Sequence, residues 1–418
     1  MSQHSGMISN AKQRTSGSDP LGRYYTNNLA SEILVEQLSL ANPTRILDLG
    51  SGGGALSVAA SQLWGSVEIV TVDIEDTVIP FSTSKQMTHR LHLKHDALDP
   101  ELPHLIKKMG LVDVGVCNPP FTKPDWREGF GNLLEDAGLN DCVATHKDVT
   151  SDLLFLAQNL RVVRNAGHIG IIVPDGLITG KRYKKLRKKL VESHCINSVV
   201  KLPRNAFAKT DAQAFILTLV KNGASNGNIE LKEMFYNGIV SAPIYVNPED
   251  AVERLDFSFN LIKRSAELAG QTLSSLNPKI YRGKISSAER RLMPTPAFHI
   301  SDFPEFKSES FNIPTKFNIK NSLLNPPSYL TTVPGDILLA RVGRNLDKKI
   351  CYVRQGEALI TDCIFLIRVQ KEFSQKVYQA LSSIKGRHWI RSAARGVSAL
   401  HIAKSDLLNF PLDLNEYK

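Results

Sequence analysis

Long apolar runs are missing from this 418-residue chain. None approaches the roughly 20 residues that a membrane-spanning helix requires, so no membrane role is expected. Cysteine is scarce. Cys117, Cys142, Cys195, Cys351 and Cys363 are scattered with no CxxC pair. An odd, dispersed set argues against a disulfide framework or a zinc site, and predicts a reducing cytoplasm with no bound metal. The opening "MSQHSGMISNAKQRTSGSDP" has no apolar core. It reads as a flexible tail over 1–20, not as a signal peptide.

Acidic residues are also missing from one stretch. Positions 373–405 contain none, yet include Lys385, Arg387, Arg391, Arg395 and Lys404. The imbalance extends further. Residues 1–278 carry 29 Lys+Arg and 29 Asp+Glu, whereas residues 279–418 carry 22 and 12. The whole net charge of +10 therefore sits in the last third, which points to a polyanionic partner, most often nucleic acid.

In the first two-thirds, strand and helix patterns alternate. "TRILDLGSGGGALSVAASQL" (44–63) reads as strand, glycine-rich turn and helix. "VEIVTVDIED" (67–76) and "LHLKHDAL" (91–98) are strands ending in acids. "DVGVC" then runs into "NPPFTKPDW" (118–126), followed by a helix over 151–167 and strands over 168–174, 195–203 and 212–221. Such alternation predicts a mainly parallel, doubly wound sheet whose ligands bind at the carboxyl ends of its strands. The motifs fall at those ends.

Gly50, Gly52, Gly53 and Gly54 let the backbone approach a ligand closely at a helix start. Gly50, Gly52 and Ala55 also fit a GxGxxA dinucleotide loop, and Asp73 suits ribose hydroxyls in either case. Asp48 leans the other way. An acid just inside the turn suits an amino-bearing cofactor such as S-adenosylmethionine and is out of place beside a pyrophosphate. Asp96 suits an adenine amino group or a helix cap equally well on local grounds.

In this order the motifs resemble an amino-group DNA methyltransferase of the γ class that modifies adenine N6. "LGRYYTNNLASEILVEQL" (21–38) is similar to the segment this class places before its glycine loop, with Asn27 where proline is usual. "LPRNAFAKTDAQAFILTLVK" (202–221) is similar to its late strand pair. The resemblance implies S-adenosylmethionine held by Tyr24, Thr26, Asp48, Gly50, Gly52, Asp73, Asp96, Ala97 and Asn118. It implies Asn118, Pro119, Pro120 and Phe121 at the chemistry, and a flipped base between Phe121 and Phe207.

Adenine N6 is a poor nucleophile because its lone pair is delocalised into the ring. The Asn118 carboxamide oxygen and the Pro119 carbonyl would each accept one N6 hydrogen and turn the lone pair toward the methyl group. Adjacent prolines fix that carbonyl in advance. Cytosine C5 methylation instead needs an attacking thiol, usually in a Pro-Cys pair, and the chain has none.

"VPGDILLARVGRNLDKKICYV" and "ALITDCIFLIRV" alternate as strands, and 377–412 reads as helix, loop, capped turn and final strand. Gly335–Leu338 and Ile402–Pro411 resemble the target-recognition domains of type I restriction specificity subunits. The expected fold is α/β: a Rossmann-like methyltransferase domain (21–250) and a smaller mixed α+β recognition domain (251–418). Lys181, Arg182, Arg341, Arg344, Arg387, Arg391 and Arg395 are candidate contacts to double-stranded DNA. The resemblance implies a cytoplasmic, nucleoid-associated enzyme, with a separate restriction nuclease or defence-system subunit as a further partner. Rival readings are a cytosine-N4 methyltransferase, a non-catalytic DNA-binding specificity protein and a nicotinamide enzyme.

Overall fold

A computed structural model describes residues 28–413 except 39, 41, 77–88, 205, 208–211, 226, 305–310, 318–329 and 397–398. The first half is built from α1 (Asn28–Glu36), β1 (Arg45–Leu49), α2 (Ala55–Trp64), β2 (Glu68–Asp73), β3 (Arg90–Lys94), α3 (Leu102–Met109) and β4 (Val112–Cys117). It continues with α4 (Phe130–Asp136), α5 (Ser151–Val162), β5 (Val163–Pro174), α6 (Asp175–Thr179), α7 (Lys184–Ser193), β6 (Cys195–Lys201), β7 (Ala214–Val220), β8 (Ile229–Glu233) and β9 (Ile244–Val246).

These strands form one nine-stranded sheet in the order β3-β2-β1-β4-β5-β7-β6-β8-β9. The first five run parallel, and β7 is antiparallel to both β5 and β6. β1, β2 and β4 are apolar on both faces because helices cover both. One apolar cluster packs α3, α4, α5 and α7 on one face, and another packs α1 and α2 on the other. The order reverses between β1 and β4, so the carboxyl ends of these two strands open a crevice.

Two expectations change here. The helix starting at Ser151 ends at Val162, and β5 begins at once instead of at residue 168. Consecutive β-branched Val162 and Val163 favour that switch, and Ala166, at φ 56, donates its N–H to the Lys221 carbonyl. The basic run "KRYKKLRKKL" (181–190), whose sequence reads as a helical face that is solvated or lies along phosphates, is not wholly exposed. Arg187 is buried and donates to the carbonyls of Leu177, Gly180, Val252 and Glu253.

The second half follows α8 (Pro248–Glu253) and α9 (Phe257–Ala269), so the 250/251 position lies inside a helix. Its elements are β10 (Lys279–Arg282), α10 (Ser287–Leu292), β11 (Phe311–Asn312), β12 (Ile337–Ala340), β13 (Val342–Gly343), β14 (Ile350–Gln355), β15 (Ile364–Arg368), α11 (Lys371–Ser382), α12 (Ile384–Ala393), β16 (Leu400–His401) and α13 (Lys404–Leu408). A five-stranded sheet runs β10-β15-β12-β14-β11, and β13 pairs with β16.

Where a helix and then a loop are expected in the first part of 377–412, α11 and α12 follow each other directly. Ser383 caps α12 by accepting from the Gly386 N–H at 2.9 Å. A Cβ at Gly386 would sit 2.0 Å from the Ala380 carbonyl oxygen, so the absence of a side chain there is what lets the helices meet closely. Residues 409–412 form no strand, only a single bridge from Thr272 to Pro411. Among the described residues no helix is long and apolar enough to cross a membrane, and no cluster could hold a metal ion.

Candidate active site

β1 is the central strand of the crevice, and its register places Leu49 beside Cys117 on β4. Gly50 therefore lies alongside Asn118, one residue past each strand. Gly50, Gly52 and Gly54 have φ of 68, 51 and 76°, so this turn requires left-handed backbone at three positions. It is also tight: a Cβ at Gly50 would meet the Phe155 ring of α5 at 3.0 Å.

Asp48 is 1% exposed. Its Oδ2 accepts from the Ser57 hydroxyl of α2 at 2.6 Å. Among the described residues its Oδ1 is buried without a hydrogen-bond partner, as is the Ser51 hydroxyl across the turn. Burial pushes the Asp48 carboxyl up to about 7, helped by the nearby Asp73 charge and opposed by Ser57. A buried carboxylate oxygen with no donor is costly unless a ligand supplies one. A cationic amino group satisfies this need, and a pyrophosphate would aggravate it. The residues thus fit S-adenosylmethionine and disfavour a dinucleotide.

Asp73 ends β2. Its Oδ2 accepts from the Gly52 N–H at 2.8 Å and its Oδ1 from the Glu75 N–H at 3.0 Å, which braces the glycine turn. Asp96 follows β3 but caps no helix. It accepts from the Leu98 N–H at 2.9 Å and from Arg127 Nη1 at 2.6 Å. The carbonyl of buried Ala97 accepts from Gln158 Nε2 at 3.0 Å, so α5 anchors this loop from below.

After β4, Pro119 is buried, whereas Asn118, Pro120 and Phe121 are half-buried at the crevice. Phe121 meets Phe207 edge to face, with ring centroids 5.9 Å apart and planes at 82°. Residues 86 positions apart in sequence are thus brought together, but not equally. Phe207 is 2% exposed within the α1–α2 apolar cluster, and Phe121 packs against that cluster's rim. Cys117 is core: burial drives its thiol well above the usual range, and its sulfur accepts from Asn159 Nδ2 at 3.2 Å. Tyr24 and Thr26 lie outside the described residues.

The candidate DNA contacts divide. Lys181, Arg182, Arg344 and Arg391 are exposed, and Arg341 and Arg387 are half-buried. Arg395 is a correction. It is 8% exposed, its Nη2 lies 3.1 Å from Asp406 Oδ1, and its backbone pairs with His401. A guanidinium buried against its own carboxylate is part of the packing and not a phosphate contact.

Sequence reasoning missed Ser57, Arg127, Asp152 and Phe155. Asp152 is buried on the first turn of α5, and burial raises its carboxyl. Arg127 sits in a loop with Trp126, whose indole stacks on His146 at 3.9 Å. Arg127 and Phe155 meet Asp96 and Gly50 from segments distant in sequence, which no local spacing signals, whereas Ser57 lies only nine residues from Asp48, in the first turn of α2. A groove of about 640 Å³ lined by Lys107, Arg161, Lys189, His194 and Lys221 opens beyond the amino ends of β5 and β6 and contains none of these groups.

Residues 7–239 match the model of the N-6 DNA Methylase family. The chain belongs to that family. Membership implies use of S-adenosylmethionine. The chain is 30% identical over 112 residues to the type I restriction enzyme MpnII methylase subunit of Mycoplasma pneumoniae, covering 26% of this chain and 20% of that protein. It is 25% identical over 205 residues to the EcoEI methylase subunit of Escherichia coli, covering 44% and 39%. It thus spans well under half of either relative. The type IIG restriction endonuclease BpuSI shares its fold, with a TM-score of 0.52 and 13% identity over 95% of this chain and 59% of that one.

Proposed function

We propose that this N-6 DNA methylase family member transfers a methyl group from S-adenosylmethionine to adenine N6 in duplex DNA, as the modification part of a restriction-modification system. One observation carries the reading. The Asp48 oxygen that has no partner among the described residues lies under the glycine turn, and the register of β1 with β4 sets that turn directly beside Asn118. A site for an amino-bearing cofactor and a pair of oriented acceptors for an exocyclic amine are therefore neighbours.

Bound S-adenosylmethionine would supply an electrophilic methyl on its sulfonium. Asp48 would accept its amino group, Asp73 its ribose hydroxyls, and the loop at Asp96 and Ala97 its adenine. Tyr24 and Thr26 belong to this set by their place in the motif order. Asn118 and the Pro119 carbonyl would hold the two N6 hydrogens of the target, with Pro120 stiffening the turn. Phe121 would stack on the extruded base, and Phe207 would back Phe121. The amine's proton leaves after transfer, so no covalent enzyme nucleophile is required.

Residues 251–418 would select the DNA sequence, with Lys181, Arg182, Arg341, Arg344, Arg387 and Arg391 supplying phosphate contacts. The basic excess beyond residue 278 supports that role. The direct test is calorimetric binding of S-adenosylmethionine followed by transfer of labelled methyl to duplex DNA. Binding with no transfer to any duplex would favour a non-catalytic specificity protein. Transfer to cytosine N4 would retain the mechanism and change the base.

A further inference from the structure

Arg254 stands where the chain passes from the nine-stranded half to the second half, between α8 and α9, and is 2% exposed. Its Nε donates to Asp256 Oδ1 at 2.6 Å. Its Nη1 and Nη2 donate to the carbonyls of Ala393 and Ser392 at 2.9 and 3.0 Å, and its guanidinium lies 4.3 Å from the centroid of the Phe259 ring. Ser392 and Ala393 end α12, where carbonyls have no partner within the helix. One arginine thus grips the last turn of a helix that is distant in sequence.

The chain leaving α12 reaches the catalytic half three residues later. The Gly396 N–H donates to Asp175 Oδ2 at 2.9 Å, an oxygen that also accepts from Thr179. Asp175 is buried at the carboxyl end of β5, the strand whose Ile171 pairs with Cys117, the neighbour of Asn118. The same segment is held by Arg187 through the Leu177 and Gly180 carbonyls, and by the Leu255 N–H through that of Ile178. On the outer side Arg395 pairs with Asp406, and Lys181 reaches the Ser405 hydroxyl at 2.9 Å.

Apolar contacts alone would hold two halves together without desolvating charges. Here the junction is made of directional hydrogen bonds, fixed in angle by a planar guanidinium, and it lies at the strand end beside the chemistry. We infer that Arg254 and Asp175 are positioning residues that fix the second half on the end of β5 and so set where a bound duplex presents its target base to Asn118. The inference rests on the proposed methyl-transfer reading.

The test uses the full chain with Arg254→Met, Arg254→Lys and Asp175→Ala. S-adenosylmethionine affinity, kcat and KM for the cognate duplex, and the spectrum of methylated sites are measured beside melting temperature. Cofactor affinity should stay within about twofold, because no cofactor group is touched. A target displaced by about 1 Å loses up to about 100-fold in rate, so kcat should fall roughly 10- to 100-fold with a smaller change in KM. Methylation should spread to sites one base pair removed from the cognate. Arg254→Lys should recover part of the rate. If Arg254→Met does not fold, Asp175→Ala, which removes the Gly396 and Thr179 bonds, decides alone. Folded variants that melt earlier but keep wild-type kcat, KM and site spectrum would overturn the inference. A wild-type chain that binds cofactor but methylates no DNA would overturn the reading beneath it.

Discussion

Arg127 and Asp96 join the loop that follows the Asn118 motif to the loop that follows β3, with 2.6 Å between Nη1 and Oδ2. The Asp96 carboxylate proposed to receive the cofactor's adenine amino group is therefore already engaged. Both partners are partly exposed, at 52% and 36%, and such pairs contribute about 1 kcal/mol at most. Arg127→Ala should thus tighten S-adenosylmethionine binding by up to about fivefold, and Asp96→Asn should weaken it. Trp126, stacked on His146 beside this pair, makes tryptophan fluorescence a second readout. Equal affinity for wild type and Arg127→Ala would show that the cofactor does not compete for Asp96.

Asp48 makes a pH-dependent claim. Its carboxyl titrates near 7 in the folded chain against an ordinary 3.8, so the unfolded chain releases this proton first. Stability from this group declines between those two values and is fully lost above the higher one, by roughly 4 kcal/mol. Asp48→Asn should therefore melt later than wild type at pH 8 and no later at pH 4. Cofactor affinity should run the opposite way. If only ionised Asp48 pairs with the cofactor's amino group, affinity falls about tenfold per pH unit below pH 7. Calorimetry across buffers of different ionisation enthalpy would register proton release near neutrality. A flat profile would remove Asp48 from the cofactor site.

Asn118→Ala should still bind S-adenosylmethionine, through Asp48, Asp73 and the glycine turn, and lose methyl transfer. Removing one oriented group of this kind typically lowers kcat by about 10²–10³. Near-normal turnover would exclude Asn118 as the amine's acceptor.

The two phenylalanines should separate. Phe207 is core, and a Phe→Ala change in a core costs about 3–5 kcal/mol, so Phe207→Ala should melt substantially earlier. Phe121→Ala should melt close to wild type yet methylate slowly, since stacking of a base on an aromatic ring contributes about 1–3 kcal/mol. With 2-aminopurine at the target, less quenching in Phe121→Ala than in wild type would register the lost stack. Identical rate and fluorescence would place Phe121 outside the base pocket.

Charge reversal should also divide by burial. Exposed Arg344 and Arg391, changed to Glu, should weaken cognate and random DNA binding alike and lower the salt slope by about 0.9 per lost phosphate contact. Arg395→Glu should instead destabilise the fold by about 3–5 kcal/mol, because a second buried acid would face Asp406. A salt slope unchanged by either exposed variant would remove both arginines from the DNA surface.

Periodicity is a local property, and it is enough to read β1, the glycine turn and α2, or the apolar strand that runs into Asn118. The mainly parallel, doubly wound character follows because parallel strands need helical crossovers. Burial of a charge is not local. Arg187 reads as part of a solvated helical face until the Val252 and Glu253 carbonyls close over it, Arg254 carries no local sign of its burial, and Arg395 reads as a phosphate contact until Asp406 is packed against it. The loop expected after the first helix of 377–412 is a second helix, whose first turn packs so close to the Ala380 carbonyl that only Gly386 fits. The Asp96–Arg127 pair depends on two loops 31 residues apart, each unremarkable alone.

The central claim is the transfer of a methyl group to adenine N6 within a specific DNA sequence. Modification-sensitive sequencing of DNA from cells expressing the full chain, beside cells expressing Asn118→Ala, tests it most directly. N6-methyladenine confined to one short motif in the wild type and absent from the variant is the expected result. DNA free of methylated adenine in cells where the chain is folded and binds S-adenosylmethionine would contradict it.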